Sequence, residues 1–424
     1  MHITMIAVGS RGDVQPLVAL GMSLQKIGYR IRFAGPPPFQ DFIQEKGLEF
    51  KPFGTDLKEF FDLDVGIDWI EKCDNPVNMY LGYAKTVLPF LRQELDACLA
   101  ACQNTDAIIH GIFVPACPHI AEALDVPIFS ALLQPRQRTQ SHPSCFMPPH
   151  IQLGGLYNWG SHVLIEQLYW QPLRSEVNRW RKEVLGLKPW PLLGQSPDYP
   201  AFAAYSPSVL PKPKDWPSTY HVPGFWFLEN EQSWQPPSDL LDFLDAGKPP
   251  IYIGFGSMVS RHPEKMTEII VEALELTQQR GIIMRGWTGL GPKNTSDRIF
   301  VTDPLPHHWL FPKVAAVVYH GGAGTTASAL RAGVPLVVIP FGTDQPFWGA
   351  HLHKLGVAAP PISYKKLTVE ILTKAIAKVT TDDNIKTRAR HLGEQIRAED
   401  GIGETVKLID RYLQSKPKPT LAAA

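Results

Sequence analysis

A strand-like apolar run at residues 315–319 ends at a histidine, and small residues follow it: His320-Gly321-Gly322-Ala323-Gly324-Thr325-Thr326, leading into an Ala/Leu-rich stretch. Glycines let a backbone approach a ligand closely, and the unpaired N–H groups of a helix's first turn attract an anion. The helix dipole adds partial positive charge there, and His320 supplies a donor. The segment reads as a phosphate cradle; the alternative is a tight turn with no ligand. It lacks the Gly-Lys-Ser/Thr ending of a P-loop. Gly254-Phe255-Gly256-Ser257-Met258 also follows a strand-like run, so its N–H groups and the Ser257 hydroxyl can face the same anion. A third run, 334–339, leads to Asp344-Gln345, whose acceptors and donors suit sugar hydroxyls, or else form a polar turn. Near the N-terminus stands Gly9-Ser10-Arg11-Gly12-Asp13-Val14-Gln15-Pro16. A dinucleotide site would need Gly-x-Gly-x-x-Gly here and an acid closing the next strand. That strand closes in Ala34-Gly35-Pro36, which disfavours a nicotinamide dehydrogenase. Asp13 sits where α/β sheets bind ligands; its other reading is a helix cap.

The elements that must hold these residues alternate along both halves of the chain. Residues 2–8 read as a strand, 14–26 as a helix, 30–34 as a strand, 39–46 as a helix and 49–53 as a strand. One long helix is expected at 86–102, and buried strands at 106–110 and 126–130. From 135 to 190 the pattern breaks. A helical segment there carries Tyr157, Trp159, Leu164, Leu168, Tyr169, Trp170 and Trp180, as core, pocket lining or membrane-facing surface. Residues 211–217 read as a linker and 229–237 as a surface loop. Strands then recur at 250–255, 282–286, 299–301, 315–319 and 336–339, with helices between them including 264–280 and 325–332. A helical stretch at 383–413 and a Lys/Pro tail at 415–424, expected to be disordered, complete the chain. Strand–helix alternation told twice implies an α/β chain of two Rossmann-like domains facing each other across a cleft.

At 424 residues the chain exceeds one hydrophobic core. Lys+Arg 41 against Asp+Glu 41 argues against nucleic acid, whose phosphates require a basic surplus. The five cysteines form no Cys-x-x-Cys pair, so packing thiols and a cytoplasmic setting are expected. The sequence enters its first strand without a charged, apolar leader, and no run is long enough to span a bilayer. Peripheral contact with a membrane surface stays open.

Three stretches carry a resemblance. Gly9 through Pro16, Ile253-Gly254-Phe255-Gly256-Ser257-Met258, and Leu305-Pro306-His307-His308-Trp309-Leu310-Phe311-Pro312 running on through His320–Thr326 to Asp344-Gln345-Pro346-Phe347-Trp348-Gly349 resemble the GT-B glycosyltransferases of family GT1. Most similar is the branch of sterol 3-β-glucosyltransferases and macrolide or glycopeptide glycosyltransferases. Asn178-Arg179-Trp180-Arg181 and Gly286-Trp287-Thr288-Gly289-Leu290-Gly291 add to it. The resemblance implies an acceptor-binding domain at 1–215, a donor-binding domain at 216–395, and a helix and tail at 396–424 that cross back. It places the diphosphate of a UDP-sugar on Ser257, His320 and the N–H groups of Gly322, Ala323, Gly324 and Thr325, with Gly12 in the donor set. Asp344 and Gln345 would hold sugar hydroxyls. Asp13 falls where this branch has its general base.

The activity implied is inverting transfer of a sugar, glucose foremost, to a hydroxyl of a lipophilic acceptor such as a sterol, whose pocket residues 135–200 should shape. Alternatives are a natural-product glycosyltransferase using a dTDP- or UDP-sugar, an epimerase of the same fold, and a non-catalytic lipid or nucleotide-sugar binding module. Plant members stack uracil on a tryptophan where this chain has Thr302, and Trp309 aligns with a packing position. Trp287 or the backbone near Leu305 is left for the base. No cofactor or metal is expected; Asp62-Leu63-Asp64 matches the Asp-x-Asp of the other transferase fold but does not follow a strand. Burial would raise the basicity of Asp13 and the helix N-terminus would lower it.

Overall fold

Runs such as Ile-Thr-Met-Ile and Ala-Ile-Ile-His present no solvated face, and both lie inside parallel sheets covered on two sides. The computed structural model describes residues 1–73, 75–194, 199–229, 234–292 and 296–415. The tail beyond Ser415 and residues 230–233 of the expected surface loop lie outside them.

The first sheet has seven parallel strands in the order β3-β2-β1-β4-β5-β6-β7. These are β1 (His2–Ile6), β2 (Arg30–Gly35), β3 (Glu49–Pro52), β4 (Ala107–His110), β5 (Ile128–Leu132), β6 (Ala201–Ala203) and β7 (Tyr220–His221). In the second, β8 (Ile251–Gly254), β9 (Gly281–Met284), β10 (Ile299–Thr302), β11 (Ala316–Tyr319) and β12 (Leu336–Val338) run β10-β9-β8-β11-β12. The strand order reverses between β1 and β4 in one sheet and between β8 and β11 in the other. Crevices open outside the carboxyl ends of strands at such reversals. Asp13 follows β1, while the Ser257 and His320 loops follow β8 and β11. Because β7 pairs with β6, the first sheet runs past residue 215.

Two expectations are corrected. The helix expected at 86–102 is two helices, Pro76–Val87 and Leu91–Ala101, joined by a single 3₁₀ turn at Leu88–Phe90. Pro89 has no N–H for the ladder and its ring opposes the preceding turn, so the helix breaks there. The stretch at 383–413 also divides, into Asp383–Arg397 and Gly401–Ser415. The first packs Ala389, Leu392 and Ile396 in a cluster with Leu330 and Leu336 of the second sheet's layer. The second returns to the first sheet, where Val406, Ile409 and Leu413 join Leu17, Leu20, Leu24, Phe129 and Phe202. Trp226 Nε1 donates to Thr405 Oγ1 at 3.0 Å and Tyr29 Oη to Asp410 Oδ1 at 2.7 Å. The two chain crossings touch at Gly224 and Gly401; a Cβ on Gly401 would stand 2.5 Å from the Gly224 carbonyl carbon. Ile409 is fully buried in this joint. Ile409→Ala is therefore expected to lose about 2–5 kcal/mol in urea unfolding, and no loss would mean the returning helix is not part of the fold's core.

For the aromatic helix, Gly155–Glu183, core, pocket lining and membrane-facing surface were all open. Trp170, Leu173, Val177 and Trp180 pack with Leu91, Leu95 and Cys98 as plain core. Asn178-Arg179-Trp180-Arg181 is a structural motif. Arg181, 1% exposed, makes a two-point ion pair with Glu122, and the Asn178 side chain clamps the backbone of Trp190. All five cysteines are buried thiols.

Candidate functional site

Between the two sheets lies a cavity of about 1760 Å³. Every residue singled out above for chemistry or donor binding lines it: Gly12, Asp13, Ser257, Trp287, Leu305 and His320; Gly322, Ala323, Gly324 and Thr325; Asp344 and Gln345. Thr302 and Trp309 do not. The Trp309 ring instead packs beneath the Lys313 ammonium, 4.2 Å from its centroid.

On the donor side, Gly322 is the N-cap of the helix Ala323–Ala332, so the first-turn N–H groups face the cavity without a side-chain cap. Thr326 spends its hydroxyl inward, donating to the Gly322 carbonyl. The neighbouring first-domain helix, Arg11–Lys26, also begins here. A Cβ on Gly324 would lie 3.8 Å from the Gly12 Cα, so two positive helix ends converge on one spot. His320 is 9% exposed, and burial pushes its imidazole down to about 4, so it is neutral at pH 7. Its Nδ1 has no partner. A Cβ on Gly322 would stand 2.3 Å from His320 Nε2. Gly322→Ala is thus expected to displace the imidazole and weaken nucleoside diphosphate binding, as calorimetry would read. Unaltered affinity would remove His320 from the cradle.

Asp344 and Gln345 are both buried, at the start of the helix Gln345–Leu355. Thr343 Oγ1 donates to Asp344 Oδ1 at 3.1 Å and Trp348 Nε1 to Oδ2 at 3.1 Å, while burial holds the carboxyl above its usual pKa range. The Gln345 carbonyl oxygen accepts from the backbone N–H groups of Phe341 and Gly342 at 2.8 and 3.3 Å. Its amide nitrogen gives one N–H to Met258 Sδ at 3.4 Å, and the other N–H is the part left to meet a ligand.

Asp13 is both a cap and a cavity residue. Its Oδ2 accepts from the Ser10 N–H at 2.8 Å and from Ser10 Oγ at 3.2 Å, closing a capping box. Those bonds lower its pKa, yet burial outweighs them and the Asp344 charge adds to it, pushing Asp13 up to about 6. The balance between burial and the helix end, open in the sequence, falls to burial.

The far wall of the cavity corrects the expectation for residues 135–200, of which Phe146 alone lines it among the described residues. The wall comes from 57–94 instead. The helices Leu57–Asp62 and Asp64–Lys72 leave the first sheet and roof the cavity. Phe61 and Ile70 pack into the second sheet's core beside Ile253 and Phe255. Arg261, just beyond the Ser257 loop, pairs with Asp64 at 3.1 Å, Asp68 at 2.5 Å and Glu71 at 3.4 Å. The Asp62-Leu63-Asp64 triplet thus belongs to this roof. Two further residues escaped the sequence reading. Gln134, 6% exposed and lining the cavity, has an unpartnered Oε1, and Tyr80, 2% exposed, has an unpartnered Oη. Gln134 stands two residues beyond β5, and its position near that strand's carboxyl end was the available signal.

Comparison with known proteins agrees with this layout. Residues 3–143 match the glycosyltransferase family 28 N-terminal domain, and residues 288–410 match the erythromycin biosynthesis protein CIII-like C-terminal domain. A sterol 3-beta-glucosyltransferase of Arabidopsis thaliana is 38% identical over 98% of this chain and 66% of its own length. Another, from Aspergillus terreus, is 36% identical over 98% of this chain and 30% of its own. The chain therefore spans under two thirds of these relatives. Among solved structures, the glycosyltransferase of kitacinnamycin aligns with a TM-score of 0.69 at 21% identity, covering 97% of this chain and 99% of that one. The calicheamicin glycosyltransferase CalG4 aligns at 0.67 and 18%, covering 98% and 99%. At such identities the likeness is one of fold.

Proposed function

The chain belongs to the GT-B glycosyltransferases, joining a family 28 N-terminal domain to an erythromycin CIII-like C-terminal domain, and on that premise we propose that it moves glucose from UDP-glucose to the hydroxyl of a sterol, with inversion. The observation that carries this reading is the meeting, in one cavity, of Asp13 with the His320–Thr325 cradle and Asp344. A base, an anion site and sugar-binding groups are the three things such a transfer requires. The relatives named as sterol glucosyltransferases align along 98% of the chain, whereas the natural-product enzymes share its fold at far lower identity.

In the proposed reaction the acceptor oxygen attacks the anomeric carbon as that carbon's bond to the diphosphate oxygen breaks. The bonding pair leaves with UDP. Asp13 takes the acceptor proton as the new bond forms, since no carboxylate could remove it from a free alcohol beforehand. The two helix ends and the neutral His320 donor meet the negative charge that develops on the diphosphate. Among the described residues no group of three or more His, Cys, Asp or Glu is placed to hold a metal. We assign the metal's usual charge-stabilising task to those helix ends, and a rate unchanged by a chelator would support it. Trp287 and the Leu305 backbone are the proposed contacts of the base. Trp287 is fixed there by its N–H bond to the Gly256 carbonyl at 3.0 Å.

A membrane surface is the proposed source of the acceptor. No helix among the described residues is long and apolar enough to cross a bilayer. The cavity wall nevertheless carries Leu63, Val65 and Phe90, exposed by 57, 54 and 59%. Incubating the protein with UDP-glucose, with and without a sterol, tests the whole reading. Sterol-dependent UDP release with a sterol glucoside as product is expected. Free sugar without any acceptor would point to an epimerase or hydrolase, and no release at all to a binding module.

A further inference from the structure

The wall of the cavity that receives the acceptor is mostly apolar, with Lys85 and Thr86 and one group of aromatic hydroxyls as its polar breaks. Tyr80 and Tyr83, from the helix Pro76–Val87, and Glu94, from the helix Leu91–Ala101, line it together. Behind them lies Tyr169, its ring 6.2 Å from that of Tyr80 and 5.6 Å from that of Tyr83. The hydroxyl of Tyr80 is buried without a hydrogen-bond partner, while that of Tyr169 faces the hydroxyl of Tyr83. Glu94 is half-buried, and burial alone raises its pKa. Buried polar groups in folded proteins are nearly always paired, so the unpaired Tyr80 hydroxyl at a cavity wall is a site that a ligand would complete.

Placement and charge narrow the ligand. Asp13 and Ile112 share one recess, and Phe113, the next residue, has its ring 5.6 Å from Tyr83 and 5.8 Å from Tyr169. The polar cluster therefore lies beyond an apolar step from the base. Arg136 stands over the rings of Phe113 and Phe146 at 5.8 and 5.7 Å, and its charge reaches Tyr80 and Tyr169. The guanidinium and the Lys85 ammonium oppose an ammonium ligand, and Glu94 opposes a carboxylate. A neutral group that both donates and accepts fits the pair.

We propose that Tyr80, Tyr83 and Glu94 form a second polar subsite, which binds a hydroxyl of the acceptor other than the one glucosylated. The preferred acceptor is then a sterol that carries a second hydroxyl. This rests on the reading of the chain as a glucosyltransferase acting on lipophilic alcohols.

The test compares kcat/KM, from initial rates of UDP release, for a 3β-hydroxysterol and for the same sterol bearing a second hydroxyl on its rings or its side chain. At least one diol is expected to exceed the mono-alcohol by about tenfold, through KM, which is the size of one hydrogen bond to a desolvated site. In Tyr80→Phe, and in Tyr83→Phe combined with Glu94→Gln, that ratio should fall to about one. Each variant is first shown to bind UDP by calorimetry, which separates a lost subsite from a lost fold. A ratio near one for every diol with the wild-type protein overturns the subsite while leaving the sterol reading intact, and so does a preference that survives in the variants. If no alcohol is glucosylated although UDP-glucose binds, the acceptor reading itself fails and the subsite falls with it.

Discussion

Asp13→Asn is expected to bind UDP-glucose with wild-type affinity and to lose about 10²–10⁴ in kcat, the range set by one general base. The amide keeps an oxygen to accept from the Ser10 N–H and hydroxyl, so the capping box and the start of the helix Arg11–Lys26 survive. What disappears is the lone pair that accepts the proton. The wild-type pH profile offers a second reading of the same group. Asp13 is active when ionised and its pKa is pushed up to about 6, so kcat/KM should fall as pH drops through that value, and the variant should lose that limb. Stability should move the other way. A carboxyl whose pKa is higher folded than unfolded holds its proton longer in the native state, so its contribution to stability is lost as pH rises from about 4 through 6. Removing the charge should raise the melting temperature at pH 8. Near-normal turnover in the variant would sink the assignment, whereas a lower melting temperature with lost turnover would reduce Asp13 to a cap.

That dual character shows what could and could not be read from the sequence. Both uses of Asp13, cap and crevice acid, follow from one loop after one strand, and the structure keeps both. The two sheets were legible because strands such as Ala316–Tyr319 are apolar runs that give way within two residues to glycine. The donor loops were legible for the same reason, since glycines after a strand are a local signal. The acceptor wall was not. Phe61 and Ile70 look like any amphipathic pair until they are seen packed in the other domain's core beside Ile253, which no local pattern encodes. The aromatic helix misled for the converse reason. Trp180 donates its indole N–H to Asp96 at 2.7 Å and is fully buried, and burial of that kind looks the same in sequence as a pocket. The break at residues 398–400 was hidden from the local pattern, because Asp383–Arg397 and Gly401–Ser415 are both strongly amphipathic, and only the family resemblance set a crossing-back helix from 396.

The second large effect is expected at His320. Its side chain sits at the N-terminus of the donor helix, neutral at pH 7 because burial holds its pKa near 4, with Nδ1 lacking any partner. A neutral imidazole carries one N–H, so its contribution to a bound diphosphate is a directed hydrogen bond rather than an ion pair. Two consequences separate those cases. His320→Ala should raise the dissociation constant for UDP about tenfold, the value of one hydrogen bond to a charged acceptor. It should lower kcat further, by about 10²–10³, because the charge on the leaving oxygen grows as the glycosidic bond breaks. His320→Gln, which returns a neutral donor, should recover part of both losses, which a charge-based role would not allow. The salt dependence of UDP binding should be the same in wild type and His320→Ala, since no cation has been removed. Equal losses in His320→Ala and His320→Gln, with a reduced salt slope, would mean that the diphosphate draws a proton onto the ring. An unchanged dissociation constant and kcat would leave the two converging helix ends, at Gly12 and Gly322–Thr325, as the whole of the anion site.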